Sequence, residues 1–203
     1  MNNNVCNEIK HANELLDALI NSPSSETSDC IIETFPAYLR VLMDFLQGSD
    51  FLFWGDLRDR DGVIGLIEKA ASYYDRKVIP VSLEGLAPTD LVGSIVTMHD
   101  DKTGLDYFNH KGTYWWNEVT CHPDKKYLLL FVDLDKADFR TAMALRSPFI
   151  SDHDRNVCVG CLFNEPDETK HTEIKSRYNL LFGLLFKVLF LPENQEWLQE
   201  QTK

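Results

Sequence analysis

Hydrophobic positions in the first 48 residues recur at the spacing of an α-helix. Two apolar stripes predict two helices, and the polar segment 21–29 between them predicts a linker. The second helix has Thr34 as its expected N-cap, Pro36 in its first turn and Gly48 at its end. The stripes are Ile9, Ala12, Leu15, Leu16, Leu19 and Ile20, then Phe35, Tyr38, Leu39, Leu42, Phe45 and Leu46. We therefore expect residues 1–48 to form an N-terminal helical pair packed on the rest of the chain.

From residue 51 the pattern changes to short continuous apolar runs, which are typical of strands covered on both faces. A broad helical stripe in residues 61–77 separates the first two runs. Strands alternating with helices predict an α/β domain with a mostly parallel, three-layer sheet over residues 49–203. The runs are FLFW (51–54), VIPVS (78–82), YLLLFVDL (127–134), NVCVGCLF (156–163) and LLFKVLFLP (184–192).

Charge and composition narrow the list of partners. The chain has 203 residues and a formal net charge of −12. Binding to nucleic acid or to an anionic membrane surface depends on dense positive charge, so we expect neither partner. No apolar run approaches the roughly 20 residues of a membrane span, and the N-terminus lacks the pattern of a secretory signal. Five cysteines at scattered spacings favour reduced thiols, so we expect a cytoplasmic protein.

The order of these segments resembles the core domain of the AAA+ ATPases, which have the P-loop NTPase fold. The resemblance covers residues 50–192 and rests on FLFWG with the following helix, KVIPVSLEGLAPTDLVGSIV, YLLLFVDLDKA, CVGCLFNEP and IKSRYNLLFGLLFKVLFLP. It implies an ATP site made of a phosphate loop, an Asp-Glu pair and a polar sensor residue. The helical lid of the family would follow Pro192, where eleven residues remain, so we expect no complete lid.

The phosphate loop implied by the resemblance falls on GDLRDRDG, residues 55–62. Gly55 would start it, Arg60 would stand at the second glycine, Asp61 at the lysine and Gly62 at the serine or threonine. Like charges about 4 Å apart repel by about 4 kcal/mol at an effective dielectric near 20, so an aspartate at the lysine position opposes a triphosphate. We expect weak or no ATP binding and no cofactor, although Mg²⁺ stays possible.

Two other interpretations of this segment stay open. It can form a solvated turn with local Asp–Arg pairs. Alternatively, its three aspartates can form a loop that binds a cation, such as a lysine of a partner or a divalent metal.

Asp133 and Asp135 follow a buried strand and are the candidates for chemistry, since open α/β sheets bind ligands at that edge. The resemblance implies an Asp-Glu pair here for Mg²⁺ and water, and either register leaves that pair incomplete. The D-x-D spacing also resembles haloacid dehalogenase-type phosphatases, with Asp133 as nucleophile and Asp135 as acid/base. A helix cap by Asp135 is the other interpretation. Asn164 and Arg177 resemble the sensor and the arginine that reaches a neighbouring subunit.

These features favour a catalytically inactive AAA+-like domain that serves as a protein-interaction or regulatory module. We expect a protein partner, and a homo-oligomer through the Arg177 side is possible. Two alternatives remain. One is a Mg²⁺-dependent phosphoryl-transfer enzyme that uses Asp133 and Asp135, and the other is an AAA+ ATPase with residual ATP binding.

Overall fold

The structure is a computed structural model that describes residues 3–22, 24–55, 57, 59–145, 156–164 and 186–190. It is a mixed α/β fold in which each of the five apolar runs forms a strand, as the sequence predicts. The helices are α1 Asn3–Ile20, α2 Ser25–Glu33, α3 Ala37–Leu46, α4 Arg60–Ser72, α5 Pro88–Val92, α6 Tyr114–Cys121 and α7 Phe139–Ala144. The strands are β1 Phe51–Gly55, β2 Arg76–Ser82, β3 Ser94–Asp100, β4 Leu105–Lys111, β5 Lys126–Val132, β6 Val157–Asn164 and β7 Phe186–Phe190.

The main sheet is parallel and has the strand order β2-β5-β6-β1-β7. Phe51 of β1 is in register with Gly160 of β6 on one side and with Phe186 of β7 on the other. Because all five strands run in the same direction, their carboxyl ends lie at one edge of the sheet. The loops that follow the strands therefore meet at that edge.

Buried side chains on β1 alternate between two hydrophobic clusters. Phe51 and Phe53 belong to a cluster that also contains residues of α1, α3 and α4. Leu52 and Trp54 belong to a second cluster with residues of α5, α6 and α7. Every residue of β1 is buried, which explains why its sequence is apolar without alternation.

Arg76, at the start of β2, is a buried arginine that donates hydrogen bonds to four backbone carbonyls. Its Nε donates to the oxygen of Leu46 at 2.6 Å, and its Nη2 donates to that of Gln47 at 3.1 Å. Its Nη1 donates to the oxygens of Asn156 at 3.1 Å and Tyr127 at 3.3 Å. The guanidinium thus joins the carboxyl end of α3 to the amino ends of β5 and β6.

The N-terminal segment differs from the expected helical pair because the supposed linker contains a third helix, α2. Ser24 caps it, and its Oγ accepts a hydrogen bond from the Thr27 amide at 3.3 Å. Thr34 is the C-cap of α2 rather than an N-cap, and Pro36 precedes α3 instead of lying in its first turn. The polar, serine-rich segment has the composition of a linker, but Ser24 within it is the N-cap of a helix. The domain division at residue 48 stays a prediction.

The sequence analysis also missed an antiparallel ribbon formed by β3 and β4, which is separate from the main sheet. Gly104, with φ of 69°, ends the turn between its strands, in a conformation that favours glycine. No residue of β3 is buried, and the side chains of Ile95 and Leu105 are highly exposed. β3 therefore contributes no buried residue to either hydrophobic cluster.

Candidate functional site

A cleft of about 390 Å³ lies where the carboxyl ends of β1, β5 and β6 meet. In open α/β sheets this edge is the usual place for ligand binding. Charged side chains dominate the wall of the cleft. The lining residues are Leu57, Arg60, Glu84, Asp133, Asp135, Lys136, Leu162 and Asn164.

Asp133 is the buried centre of this cleft, and its side chain is only 4% exposed. Arg60 Nη1 donates to both carboxylate oxygens, at 2.9 Å and 2.7 Å. Lys136 Nζ lies 3.0 Å from Asp133 Oδ1, and Ser82 Oγ donates to Asp133 Oδ2 at 2.9 Å. Two cations and a hydroxyl of the same chain therefore surround one carboxylate.

These contacts set the protonation of Asp133. Burial would raise the pKa of its carboxyl group, but hydrogen bonds from Lys136, Ser82 and Arg60 outweigh burial, so the pKa lies below its usual value. The same contacts with Asp133 raise the pKa of Arg60 and that of Lys136. All three groups are consequently charged at neutral pH.

The Gly62 amide at the start of α4 and the Leu57 amide before that helix also have partners within the chain. Asp59 caps this helix, and its Oδ1 accepts a hydrogen bond from the Gly62 amide at 3.1 Å. A side chain at position 62 would collide with the Asp59 carboxylate, so this cap requires a glycine there. The Leu57 amide donates to Asn164 Oδ1 at 2.9 Å. Carboxylate and amide oxygens of the protein thus take hydrogen bonds that a phosphate would need.

Arg60 and Asp61, at the start of α4, differ in exposure and in partners. The Asp61 side chain is 92% exposed, and its Oδ1 lies 3.7 Å from Arg60 Nε. This contact is a local Asp–Arg pair of the kind expected for a solvated turn. Arg60, however, also reaches into the cleft to Asp133, which the sequence analysis did not predict. Position 60 therefore contributes a cation to the cleft, whereas Asp61 is not among its lining residues.

Asp135 and Asn164 lie together in the cleft, but Asp135 does not cap a helix. Its Oδ1 accepts a hydrogen bond from the backbone amide of Asn164 at 3.1 Å. The following helix, α7, is capped by Asp138, whose Oδ1 accepts from the Arg140 amide at 2.7 Å. The helix-cap interpretation of Asp135 is therefore wrong, because its carboxylate instead ties the end of β6 to the turn after β5.

Comparisons with known proteins give only distant structural likenesses. Rif2 of Saccharomyces cerevisiae is 14% identical, with 95% of this chain and 66% of that chain covered, at a TM-score of 0.39. Rif2 in complex with the C-terminal domain of Rap1 is 13% identical, with 97% of this chain and 66% of that chain covered, at a TM-score of 0.45. A candidate ATPase from Cytophaga hutchinsonii is 12% identical, with 98% of this chain and 65% of that chain covered, at a TM-score of 0.36. The chain thus spans slightly less than two thirds of each of these proteins.

No protein-family model matches this chain, and no curated protein sequence matches it. The identities of these structural likenesses are 12–14%, and their TM-scores are all below 0.5. Neither a family nor an activity follows from likenesses of this kind. The interpretation of the cleft therefore rests on its own geometry.

Two of the donors to Asp133, Ser82 and Lys136, are not predicted by the sequence. Ser82 ends β2, which is next to β5 in the sheet, and Lys136 follows Asp133 by three positions. The signal for Lys136 was present in the spacing D-x-x-K, whereas Ser82 required knowledge of the strand order. Arg177, the expected intersubunit arginine, lies outside the described residues.

The cations beside Asp133 oppose a metal ion at this carboxylate. The Asp133 oxygens that would coordinate Mg²⁺ are in contact with Arg60 and Lys136, which repel a divalent cation. Within the described ranges, no group of three or more His, Cys, Asp or Glu residues is arranged to hold a metal ion. The same part of the chain contains no helix with both the length and the apolarity of a membrane span.

Proposed function

We propose that this chain is a nucleotide-independent domain with an AAA+-like, three-layer α/β core that acts as a protein-interaction or regulatory module. The observation that carries the proposal is the contact between Arg60 and Asp133. In this contact the Arg60 guanidinium donates hydrogen bonds to both oxygens of the carboxylate that follows β5. The site is therefore stable without Mg²⁺ or nucleotide, and weak or no ATP binding is the expected consequence.

The contacts of Asp133 oppose Mg²⁺ binding. To bind a metal, Asp133 would have to release Arg60 and Lys136, which are 45% and 46% exposed. Separating a buried ion pair costs about 3–5 kcal/mol, and the exposure of both cations lowers that cost here. The released cations would then stand beside the metal and repel it. Both effects weaken Mg²⁺ binding.

The start of α4 opposes a triphosphate. A helix N-terminus binds phosphate because its first amides lack partners within the helix. In α4 the Gly62 amide has a partner in the Asp59 carboxylate, whose negative charge would face any phosphate. A nucleotide would have to displace this cap, which contributes about 1 kcal/mol to a helix. The same carboxylate therefore stabilises the helix and opposes phosphate.

The alternative enzyme receives less support from this geometry. A phosphatase of the D-x-D type needs a free nucleophilic oxygen on Asp133 and an acid/base on Asp135. Both oxygens of Asp133 accept hydrogen bonds from the chain, and Asp135 Oδ1 accepts one from Asn164. A screen with aryl phosphates and Mg²⁺ tests this alternative, and activity abolished by Asp133→Asn would establish it.

Support for an interaction role comes from apolar side chains on the outside of the fold. Ile95 is 75% exposed, Leu105 67% and Tyr114 67%, and they lie within one stretch of the chain, from β3 to the start of α6. The register places Ile95 and Leu105 at opposite ends of the ribbon, so they are separate exposed apolar positions rather than one patch, and each is a candidate point of contact with another protein. An aromatic residue with one polar atom, such as Tyr114, is common in such contacts.

Titration calorimetry with Mg²⁺ and ATP tests the nucleotide half of the proposal. We expect no heat of binding up to millimolar ATP and no phosphate release. Micromolar affinity with turnover would establish an ATPase instead. An Arg60→Lys variant is a suitable control, since it keeps a cation near Asp133 and should behave like the wild-type protein.

Cross-linking in cells of the source organism, followed by mass spectrometry, tests the interaction half. A specific partner should be lost from Ile95→Asp and Leu105→Asp variants. Ile20→Asp is the matched control, because Ile20 is also exposed, at 44%, but lies at the end of α1. Loss of the partner from the control as well would contradict an interaction surface between β3 and α6.

A further inference from the structure

Three secondary-structure elements meet on the Asp133 carboxylate at the carboxyl edge of the main sheet. Asp133 follows β5, and its oxygens accept hydrogen bonds from Arg60 at the start of α4 and from Ser82 at the end of β2. Lys136 contacts the same carboxylate from the turn after β5. A buried carboxylate is unfavourable unless cations and donors compensate for the lost water. The junction of α4, β2 and β5 therefore depends on a cation at Asp133.

Arg60 contacts Asp133 in the way that a bound ion would. A single atom, Arg60 Nη1, lies 2.9 Å from Asp133 Oδ1 and 2.7 Å from Oδ2, so it bridges both oxygens of the carboxylate. A Ca²⁺ ion held by both oxygens of a carboxylate occupies the same bridging place, at about 2.3–2.6 Å. The guanidinium thus stands where a cation from solution would bind.

The charge of the cleft depends on its two cations. Glu84, Asp133 and Asp135 contribute three negative charges to the lining. Arg60 and Lys136 contribute two positive charges, so the formal charge of the lining is −1. Without these cations it is −3, and the buried carboxylate borders a cleft of about 390 Å³. This volume has room for a small cation that keeps several of its waters. A cleft with both cations neutralised therefore has the charge and the space that a divalent cation needs.

We propose that Arg60 is a built-in counter-ion that occupies a cation site on Asp133, and that this site binds a divalent cation from solution once Arg60 and Lys136 are neutralised. The inference deepens the proposed function and rests on its contact between Arg60 and Asp133. Because the native cation is part of the chain, the junction of α4, β2 and β5 stays assembled at any concentration of Mg²⁺. This edge of the sheet is therefore a permanent structural junction and not an ion-controlled switch.

Thermal unfolding of the double variant Arg60→Ala/Lys136→Met in the presence of MgCl₂ tests this proposal. In NaCl the double variant should melt below the wild-type protein, because the Asp133 carboxylate has lost both cations. A dissociation constant of about 1 mM is at the weak end for divalent sites in proteins. With such a constant, about 10 mM MgCl₂ should raise the melting temperature by about 3–6 °C relative to NaCl of equal ionic strength. The wild-type protein should not respond, and CaCl₂ is the second probe.

Two control variants separate binding at Asp133 from binding elsewhere on an acidic protein. Arg40→Ala/Lys125→Met removes the same charge from two exposed positions outside the cleft, so it should not respond to MgCl₂. Adding Asp133→Asn to the double variant removes the carboxylate itself, and this triple variant should not respond either. Circular dichroism establishes that each variant is folded. If the double variant does not fold, Arg60→Ala alone serves for the same comparison, with a smaller expected shift because Lys136 still repels the ion.

The outcomes distinguish this inference from the proposed function. A variant without Arg60 that gains no stability from MgCl₂ or CaCl₂ would overturn the inference alone, since the native contact would still exclude nucleotide. An equal gain in the Arg40→Ala/Lys125→Met control or in the triple variant would also overturn it, because the ion would then bind elsewhere. A gain of the same size in the wild-type protein that Asp133→Asn abolishes would contradict the proposed function as well, because Mg²⁺ would then reach Asp133 with Arg60 present.

Discussion

Replacing Asp133 by asparagine separates a structural role of this carboxylate from a catalytic one. In an enzyme, an unpaired catalytic carboxylate is strained, and its removal often stabilises the fold. Here the carboxylate has three donors from its own chain, so its neutralisation should destabilise the fold. Asparagine is the appropriate replacement because Asp133 has φ of 61° and ψ of 36°, a left-handed conformation that asparagine tolerates.

The magnitude follows from the contacts. A hydrogen bond to a charged group contributes about 1.5–3 kcal/mol, and Asp133 accepts such bonds from Arg60, Lys136 and Ser82. Asparagine retains part of this bonding, and solvent screens the two half-exposed cations. We therefore expect a loss of about 2–3 kcal/mol in the free energy of unfolding. For a chain of this size, the melting temperature should fall by about 5–10 °C.

Urea unfolding followed by circular dichroism measures this loss, and its pH dependence adds a second test. Because the folded-state pKa of Asp133 is lowered, its contribution is present above the unfolded-state pKa of about 3.9 and is lost as pH falls through the folded pKa. The gap between wild type and Asp133→Asn should be full at neutral pH and shrink below about pH 4.

Asp135→Asn is the matched control for this substitution. Asparagine at position 135 keeps an oxygen that can accept the Asn164 amide, so its stability should change by less than about 0.5 kcal/mol. An Asp133→Asn variant as stable as the wild-type protein, or more stable, would refute the structural role of Asp133.

Three further predictions concern the core. Arg76→Met removes hydrogen bonds to four carbonyls and should lower the free energy of unfolding in urea by about 3–4 kcal/mol. Arg76→Lys should be intermediate, and an unchanged unfolding midpoint would contradict the buried contacts. Glu8 Oε2 is buried and has no hydrogen-bond partner among the described residues, and burial raises the pKa of this carboxyl group. Glu8→Gln should therefore raise the melting temperature at neutral pH, and this gain should fade as pH falls and Glu8 becomes protonated. Gly160→Ala would bring a methyl group to 2.5 Å from the Phe51 ring and should cost about 1–3 kcal/mol by calorimetry, whereas Gly65→Ala, with open space in α4, should not destabilise.

The elements with strong patterns could be predicted from the sequence. The five continuous apolar runs identified the strands because a strand that is covered on both faces has no polar positions to interrupt it. The helix after β1 was also identified, because its apolar positions form one broad stripe. Patterns of this kind depend only on residues close in sequence, so they can be recognised without knowledge of the fold.

The contacts of the cleft could not be predicted in the same way. Arg60 and Asp133 are 73 positions apart, and their contact depends on the direction of one exposed side chain at the start of α4. The sequence analysis gave the dominant electrostatic role to Asp61, which the structure places in solvent. Position in a motif identifies which residues lie near a site, but it does not determine which of two neighbours faces inward.

A crystal structure determined in the presence of millimolar Mg²⁺ and ATP tests the central claim most directly. The account predicts that Arg60 stays on Asp133, with Nη1 about 2.7–2.9 Å from the carboxylate oxygens, and that Asp59 still accepts the Gly62 amide. A triphosphate bound at residues 55–62, with Mg²⁺ on Asp133 and Arg60 displaced, would contradict it.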